Sequence, residues 1–209
     1  MSEAVALHSA KITFTGVTFD YKTNGNYIGL QHADKLVYND CTVKGQVFLY
    51  AASETFNRCT FTQTAVDYNV WTYGAKAVTF NGCTFNCVGK SVLVYNEGSI
   101  SKTELAVSDC KFNASASVEG KAAIEIDTSL MAGGATITVD AKTTAEGFAE
   151  GSNSKSTLWN DKKQKQDTNT NTTVTVAGET VFTPIVAKVG ETSYETLDEA
   201  IKAVRSRCT

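Results

Sequence analysis

The sequence predicts an all-β solenoid whose coils each contain three short strands. Three observations carry this. Proline occurs once, at Pro184, against 29 threonines and 13 asparagines, a balance that suits pleated strands and tight bends rather than helices. A pattern of aromatic, Asn-like residue, any residue, Cys, any residue, Phe returns at spacings of 24, 18, 24 and 27 residues, too short for a propeller blade and right for one coil. Between the copies lie segments of period-2 alternation, the signature of half-buried strands.

The first strand of each coil holds a Val-x-Leu-like core. It reads Tyr27-Ile28-Gly29-Leu30-Gln31, Gln46-Val47-Phe48-Leu49-Tyr50, Asn69-Val70-Trp71-Thr72-Tyr73, Ser91-Val92-Leu93-Val94-Tyr95 and, more weakly, Ala123-Ile124-Glu125-Ile126-Asp127. The second strand ends in an aromatic or Val, and the third is Cys-x-Phe or a variant of it. Together they read Phe14-Thr15-Gly16-Val17-Thr18-Phe19, Tyr38-Asn39-Asp40-Cys41-Thr42-Val43, Phe56-Asn57-Arg58-Cys59-Thr60-Phe61, Phe80-Asn81-Gly82-Cys83-Thr84-Phe85 and Val107-Ser108-Asp109-Cys110-Lys111-Phe112. The apolar phase slips between these two strands: Val78 and Phe80 share one parity, Cys83 and Phe85 the other. A tight bend must absorb the slip, and Asn tolerates the left-handed conformation. Asn39, Asn57 and Asn81 are therefore expected to make the bend and to link amide to amide between coils. Thr18, Thr42, Thr60 and Thr84 form a second, outward ladder.

These rungs resemble the right-handed parallel β-helix of the pectin-lyase-like superfamily, and in particular the coils of large repetitive surface proteins of Gram-positive gut-type bacteria. The resemblance covers roughly residues 8–140 and implies a single-stranded β-helix over residues 1–140. It also implies an origin at the bacterial cell surface, as part of a larger exported protein. Consistent with a fragment, Met1-Ser2-Glu3-Ala4 has neither the basic nor the apolar region of a signal peptide. Residues 141–182 read as an irregular segment with closing strands that packs on or extends the solenoid. Within it, Val174-Thr175-Val176 and Thr180-Val181-Phe182 flank Ala177-Gly178-Glu179 as a hairpin or closing rung. Residues 183–209 read as a hairpin followed by an amphipathic helix. Thr196-Leu197-Asp198-Glu199 is a capping box, and Leu197, Ala200, Ile201 and Val204 form an apolar stripe. The stretch from Val186 to Val204 resembles the unit that opens β-helical modules in the same proteins. It is thus either a cap or the start of another module, and the second reading is preferred.

A formal net charge of −3 argues against nucleic-acid binding, and no apolar run approaches the ~20 residues of a membrane-spanning helix. Cys41, Cys59, Cys83 and Cys110 share one rung position, and Cys87 shares their inward parity. They read as buried thiols acting as small hydrophobes, with a Cys41–Cys59 disulfide within geometric reach. Cys208 reads as a free thiol. His8 and His32 are isolated, and no metal or cofactor is expected. The acid clusters that polysaccharide-cleaving relatives project from the first strand are missing: Glu125 and Asp127 share one rung, and neighbouring rungs add no acid. Asp40, Arg58 and Asp109 read as a weak outward charge pair. What remains is two outward columns, Phe48/Trp71/Leu93 and Tyr50/Tyr73/Tyr95, with Tyr21, Tyr27 and Tyr68 near one edge. An apolar ridge of this kind is either covered by residues 141–182, through Phe148 and Trp159, or is a binding face. The expectation is a monomeric, non-catalytic surface module that binds a host glycan or a secreted host protein, immunoglobulin included, through Phe48, Tyr50, Trp71, Tyr73, Leu93 and Tyr95. The alternatives are a polysaccharide lyase or glycoside hydrolase of the same fold, and a purely structural spacer.

Overall fold

The computed structural model describes residues 11–21, 26–28, 33–96 and 102–207. The positions Gly29, Gln31, His8, His32 and Cys208 lie outside them, as does the side chain of Tyr27. The described chain winds three parallel sheets into a β-helix, as the coil pattern predicts. Sheet A stacks Lys11–Thr15, Lys35–Asn39, Ser53–Asn57, Ala77–Asn81, Thr103–Ser108, Ala135–Val139 and Thr172–Val176. Sheet B stacks Thr18–Asp20, Thr42–Lys44, Thr60–Thr62, Thr84–Gly89, Lys111–Ser117 and Thr144–Glu146. Sheet C stacks Asn26–Tyr27, Val47–Phe48, Val70–Trp71, Val92–Tyr95, Ile124–Asp127 and Trp159–Asp161. The first, second and third strands of the sequence repeat are sheets C, A and B.

Register follows from stacking like on like. Tyr38, Phe56 and Phe80 align along sheet A, with Tyr38–Phe56 ring centroids 4.4 Å apart and the ring planes nearly parallel. Phe61, Phe85 and Phe112 align along sheet B at 4.7 and 4.6 Å. Offset stacks of this kind add to the burial energy of the rings. The five described thiols are buried and free; Cys59, Cys83 and Cys110 donate to a backbone carbonyl of the coil before, that of Tyr38, Phe56 and Phe80 respectively, at 3.4–3.5 Å. Burial raises the Cys87 thiol to about 11, so it stays protonated and inert at neutral pH.

The A-to-B bend falls where the sequence suggests, but its left-handed residue is not the asparagine. Asn39, Asn57 and Asn81 end their strands, and the left-handed residue is the next one: Asp40, Arg58, Gly82 and Asp109, with Gly16 in the first coil, all at φ between 52° and 67°. The asparagines are thereby free to form the expected ladder. Asn57 Nδ2 donates to Asn39 Oδ1 and Asn81 Nδ2 to Asn57 Oδ1, both at 2.9 Å. The threonine ladder aligns Thr18, Thr42, Thr60 and Thr84 in register. Outside the bend, Arg58 grips Asp40 with two hydrogen bonds at 2.8 and 2.9 Å. Both side chains are more than half exposed, so the pair contributes little.

Coil formation does not stop at residue 140. Thr144–Glu146, Trp159–Asp161 and Thr172–Val176 each continue one sheet in parallel register. The solenoid closes where Glu179–Phe182 turns back antiparallel on the last sheet-A strand. The Ala177-Gly178 turn, with both residues at positive φ, is the pairing that a two-residue hairpin favours. A separate hairpin, Ala187–Val189 with Thr192–Tyr194, carries the helix Leu197–Arg207. Thr196 Oγ1 caps that helix by accepting from the Glu199 amide at 3.3 Å.

Candidate functional site

The outward face of sheet C is set by its register. Phe48, Trp71, Leu93, Glu125 and Asn160 pair in turn along one column, and Tyr95 pairs with Asp127 in the column beside it. Period-2 alternation places Val47, Val70, Val92 and Ile124 in the core, so the intervening residues must point out of the coil.

Local backbone geometry then gathers the rings. Tyr73 has φ +46°, rare for an aromatic residue. Thr72 beside it locks the corner: its Oγ1 donates to the Tyr95 carbonyl at 2.8 Å and accepts from the Tyr95 amide at 3.0 Å. The Tyr73 ring lies parallel to Phe48 at 4.6 Å and within 6.0 and 6.2 Å of Tyr50 and Tyr95. Trp71 completes the group at 5.4 Å from both Phe48 and Tyr95. Gly74 makes this possible, because the Tyr50 ring lies across it, and a Cβ there would stand 2.9 Å from Tyr50 Cδ2.

The five rings are half-buried. Leu93, expected in the same outward patch, is buried at 2% exposure and forms part of the floor instead. Phe148 and Trp159 do not cover the rings. Both belong to the core, and Trp159 packs on Phe182 at 5.1 Å. Trp159 points inward because it pairs with Ile124 on the buried parity of sheet C. One wall of the face is Tyr68, buried edge-to-face on Trp71 at 6.0 Å, with Lys90 Nζ 4.7 Å from its ring centroid. Burial, reinforced by the negative charges of Glu125, Asp67 and Asp127, raises the Tyr68 phenol well above its ordinary range. Tyr21 is half-buried and packs against the core.

Further along, the same face turns polar. Glu125 is fully buried; Ala122 N donates to it at 2.9 Å, Lys121 Nζ at 3.3 Å and Asn160 Nδ2 to both oxygens at 3.2 Å. Burial raises its pKa despite these partners. Asp127 is also buried, yet hydrogen bonds from Ser129 Oγ at 2.7 Å and Lys162 Nζ at 3.2 Å outweigh burial and lower its pKa. Asp161 faces the interior and closes a turn by accepting from the Lys163 and Gln164 amides.

The expected site residues therefore come together, apart from Leu93, and the face carries three groups the pattern reading did not assign to it: Lys121, Asn160 and Lys162. The signal for two of them was available. Leu158-Trp159-Asn160-Asp161-Lys162 repeats the alternation of the first strand with polar residues in the outward places. Among the described residues, no group of three or more His, Cys, Asp or Glu side chains is arranged to hold a metal ion. Comparison of the chain with protein-family models, curated proteins and solved structures returns no match.

Proposed function

We propose that the chain is a non-catalytic binding module that holds a glycan or a glycoprotein of the extracellular milieu on the outward face of sheet C. The observation that carries this is the group formed by Phe48, Tyr50, Trp71, Tyr73 and Tyr95, whose centroids lie 4.6–6.2 Å apart across three coils. Half-exposed rings in a row offer flat apolar surface to the C–H faces of sugar rings, and phenolic hydroxyls offer hydrogen bonds at their edges. The polar stretch beyond them, with Lys162 and Asp127 at its rim, supplies partners for hydroxyl groups. A glycan fits this mixture better than an apolar peptide segment, and a secreted host protein, immunoglobulin included, would be held through its sugars. Binding is preferred to cleavage because Glu125 is fully buried with both oxygens engaged, and Asp127 is tied to Ser129 and Lys162. An extracellular setting is compatible with the five buried thiols, since burial denies them to oxidants.

The test is retention on immobilised mucin and on immunoglobulin with and without its glycans, comparing the native chain with a Trp71→Ser/Tyr73→Ser variant of unchanged far-UV circular dichroism. Retention by the native chain should fall roughly tenfold or more in the variant, the loss typical of aromatic anchors. Equal retention by both proteins would move the site elsewhere. No retention by the native chain would favour the spacer reading.

A further inference from the structure

Behind the aromatic face stands a carboxyl group that binding itself does not use. The inward column of sheet A reads Leu36, Glu54, Val78, Leu105, Ile137 and Val174. One acid thus sits among aliphatic side chains, with no exposed surface. Its Oε1 accepts from two consecutive backbone amides, Tyr50 N at 2.9 Å and Ala51 N at 3.0 Å. These amides form the corner by which the chain leaves sheet C for sheet A, and the first of them belongs to Tyr50. In the next coil the position of Glu54 is Val78, and its corner is held differently, by the left-handed Tyr73 and a bond from Gly74 N to Leu49 O.

We propose that Glu54 is a positioning residue of the aromatic face: its carboxyl fixes the Tyr50 corner and so lays the Tyr50 ring across Gly74 and beside Tyr73. The functional meaning of this rests on the binding reading; the geometry does not. An aliphatic residue would suit the column but would take the acceptor from the buried Ala51 amide and the half-buried Tyr50 amide. The group facing the other carboxyl oxygen is Tyr38, diagonally placed on the preceding strand. Glu54 Oε2 and the Tyr38 hydroxyl are both buried without a hydrogen bond, yet they lie near enough for each to shift the other's ionisation. Behind Tyr38 stand Tyr21 and Cys41. Burial raises Glu54 to about 8, so at neutral pH it is a protonated acid, able to donate toward Tyr38 while Oε1 serves the corner.

The test uses Glu54→Gln and Glu54→Leu in the full chain, read by far-UV and near-UV circular dichroism, by melting temperature from pH 4 to 9 and by mucin retention. Glutamine keeps an acceptor for the two amides and removes the titration. In the folded state the acid holds its proton to about 8, whereas its ordinary value is 4.5. The native chain should therefore lose stability as pH rises through this window and level off above it. The difference in melting temperature between Glu54→Gln and the native chain should grow across that window, with the near-UV ring signal and retention unchanged. Glu54→Leu should keep its far-UV spectrum but lose near-UV intensity, with retention reduced several-fold. A leucine variant with native near-UV spectrum would overturn the proposal, as would a glutamine variant that loses the ring signal as leucine does although its amide oxygen can still accept. If the native chain retains no mucin, the near-UV comparison still decides the positioning role, and only the binding reading falls.

Discussion

Asp140 ends the column that begins with the asparagine ladder. Asn39, Asn57, Asn81, Ser108 and Asp140 occupy equivalent places at the A-to-B bend, and Ser108 Oγ donates to Asp140 Oδ2 at 2.9 Å. The carboxylate also accepts from the Asp109 amide at 3.1 Å and from Thr143 N and Oγ1 at 3.0 and 2.7 Å. Burial alone would raise its pKa, but the bonds from Thr143, Asp109 and Ser108 prevail and hold it at about 2. A carboxyl lowered in this way stabilises the fold above its ordinary value of 3.8 and stops doing so as pH falls through about 2. Asp140→Asn should cost about 1–2 kcal/mol at pH 7, the lower part of the range for bonds to a charged acceptor because solvent screens a half-exposed group. Its melting temperature should change less than that of the native chain between pH 4 and 2. Parallel acid limbs in the two proteins would show that Asp140 contributes no charge-dependent stability.

At the scale of the element, the corners decide where side chains go. A bend with a left-handed residue advances the chain by one parity, so the outward set of one sheet can differ from that of the next. Gly74 and Gly89 show two kinds of corner glycine. Gly89 has φ +75°, and a Cβ there would meet Val118 Cγ2 at 2.3 Å. Gly74 has no such backbone requirement; it only leaves room for the Tyr50 ring. Gly74→Ala should therefore fold with a loss of roughly 1 kcal/mol or less, while its near-UV spectrum and mucin retention decline. Gly89→Ala should cost about 1–3 kcal/mol and spare the ring signal, being a clash in the backbone of another corner. Identical effects of the two substitutions on the near-UV spectrum would contradict this division. The coils were legible from sequence because a buried aromatic and a buried thiol recur with one bend between them. The last coil was legible only in part: its sheet-C strand keeps the alternation but carries Asn160 outward in place of an aromatic, and its sheet-B strand is Thr144-Ala145-Glu146, where Cys-x-Phe has disappeared. The aromatic group could be read from alternation alone. Its closeness depends on the conformation of Tyr73 and on Glu54, and neither has a local sequence signature.

For the whole molecule, the question is what closes the core. The aromatic and aliphatic interior runs from Phe56 and Phe61 through Phe112 and Ile137 to Val174, all without exposed surface, and it ends on Phe182, which is 3% exposed. The strand Glu179–Phe182 folds back over the last coil and sets that ring on Trp159 at 5.1 Å. The hairpin and helix beyond it do a different job. Ala200 is buried against the hairpin, but Leu197, Ile201 and Val204 remain 40–59% exposed. The hairpin and the segment leading into it are tied to the last coil by Ser193 Oγ donating to the Asp167 carbonyl and Ile185 N donating to the Asn169 carbonyl. An exposed apolar stripe on a helix that packs on its own hairpin adds little to the solenoid and invites another surface. Removing residues 187–209 should therefore shift stability by no more than about 1 kcal/mol, whereas Phe182→Ala should cost about 3–5 kcal/mol by opening the end of the core. Chemical denaturation of the two variants beside the native chain measures both. Comparable losses would mean that the hairpin and helix close the core as much as the returning strand does. Loss with Phe182→Ala alone would leave the hairpin and helix as an appendage whose apolar stripe is available to a partner.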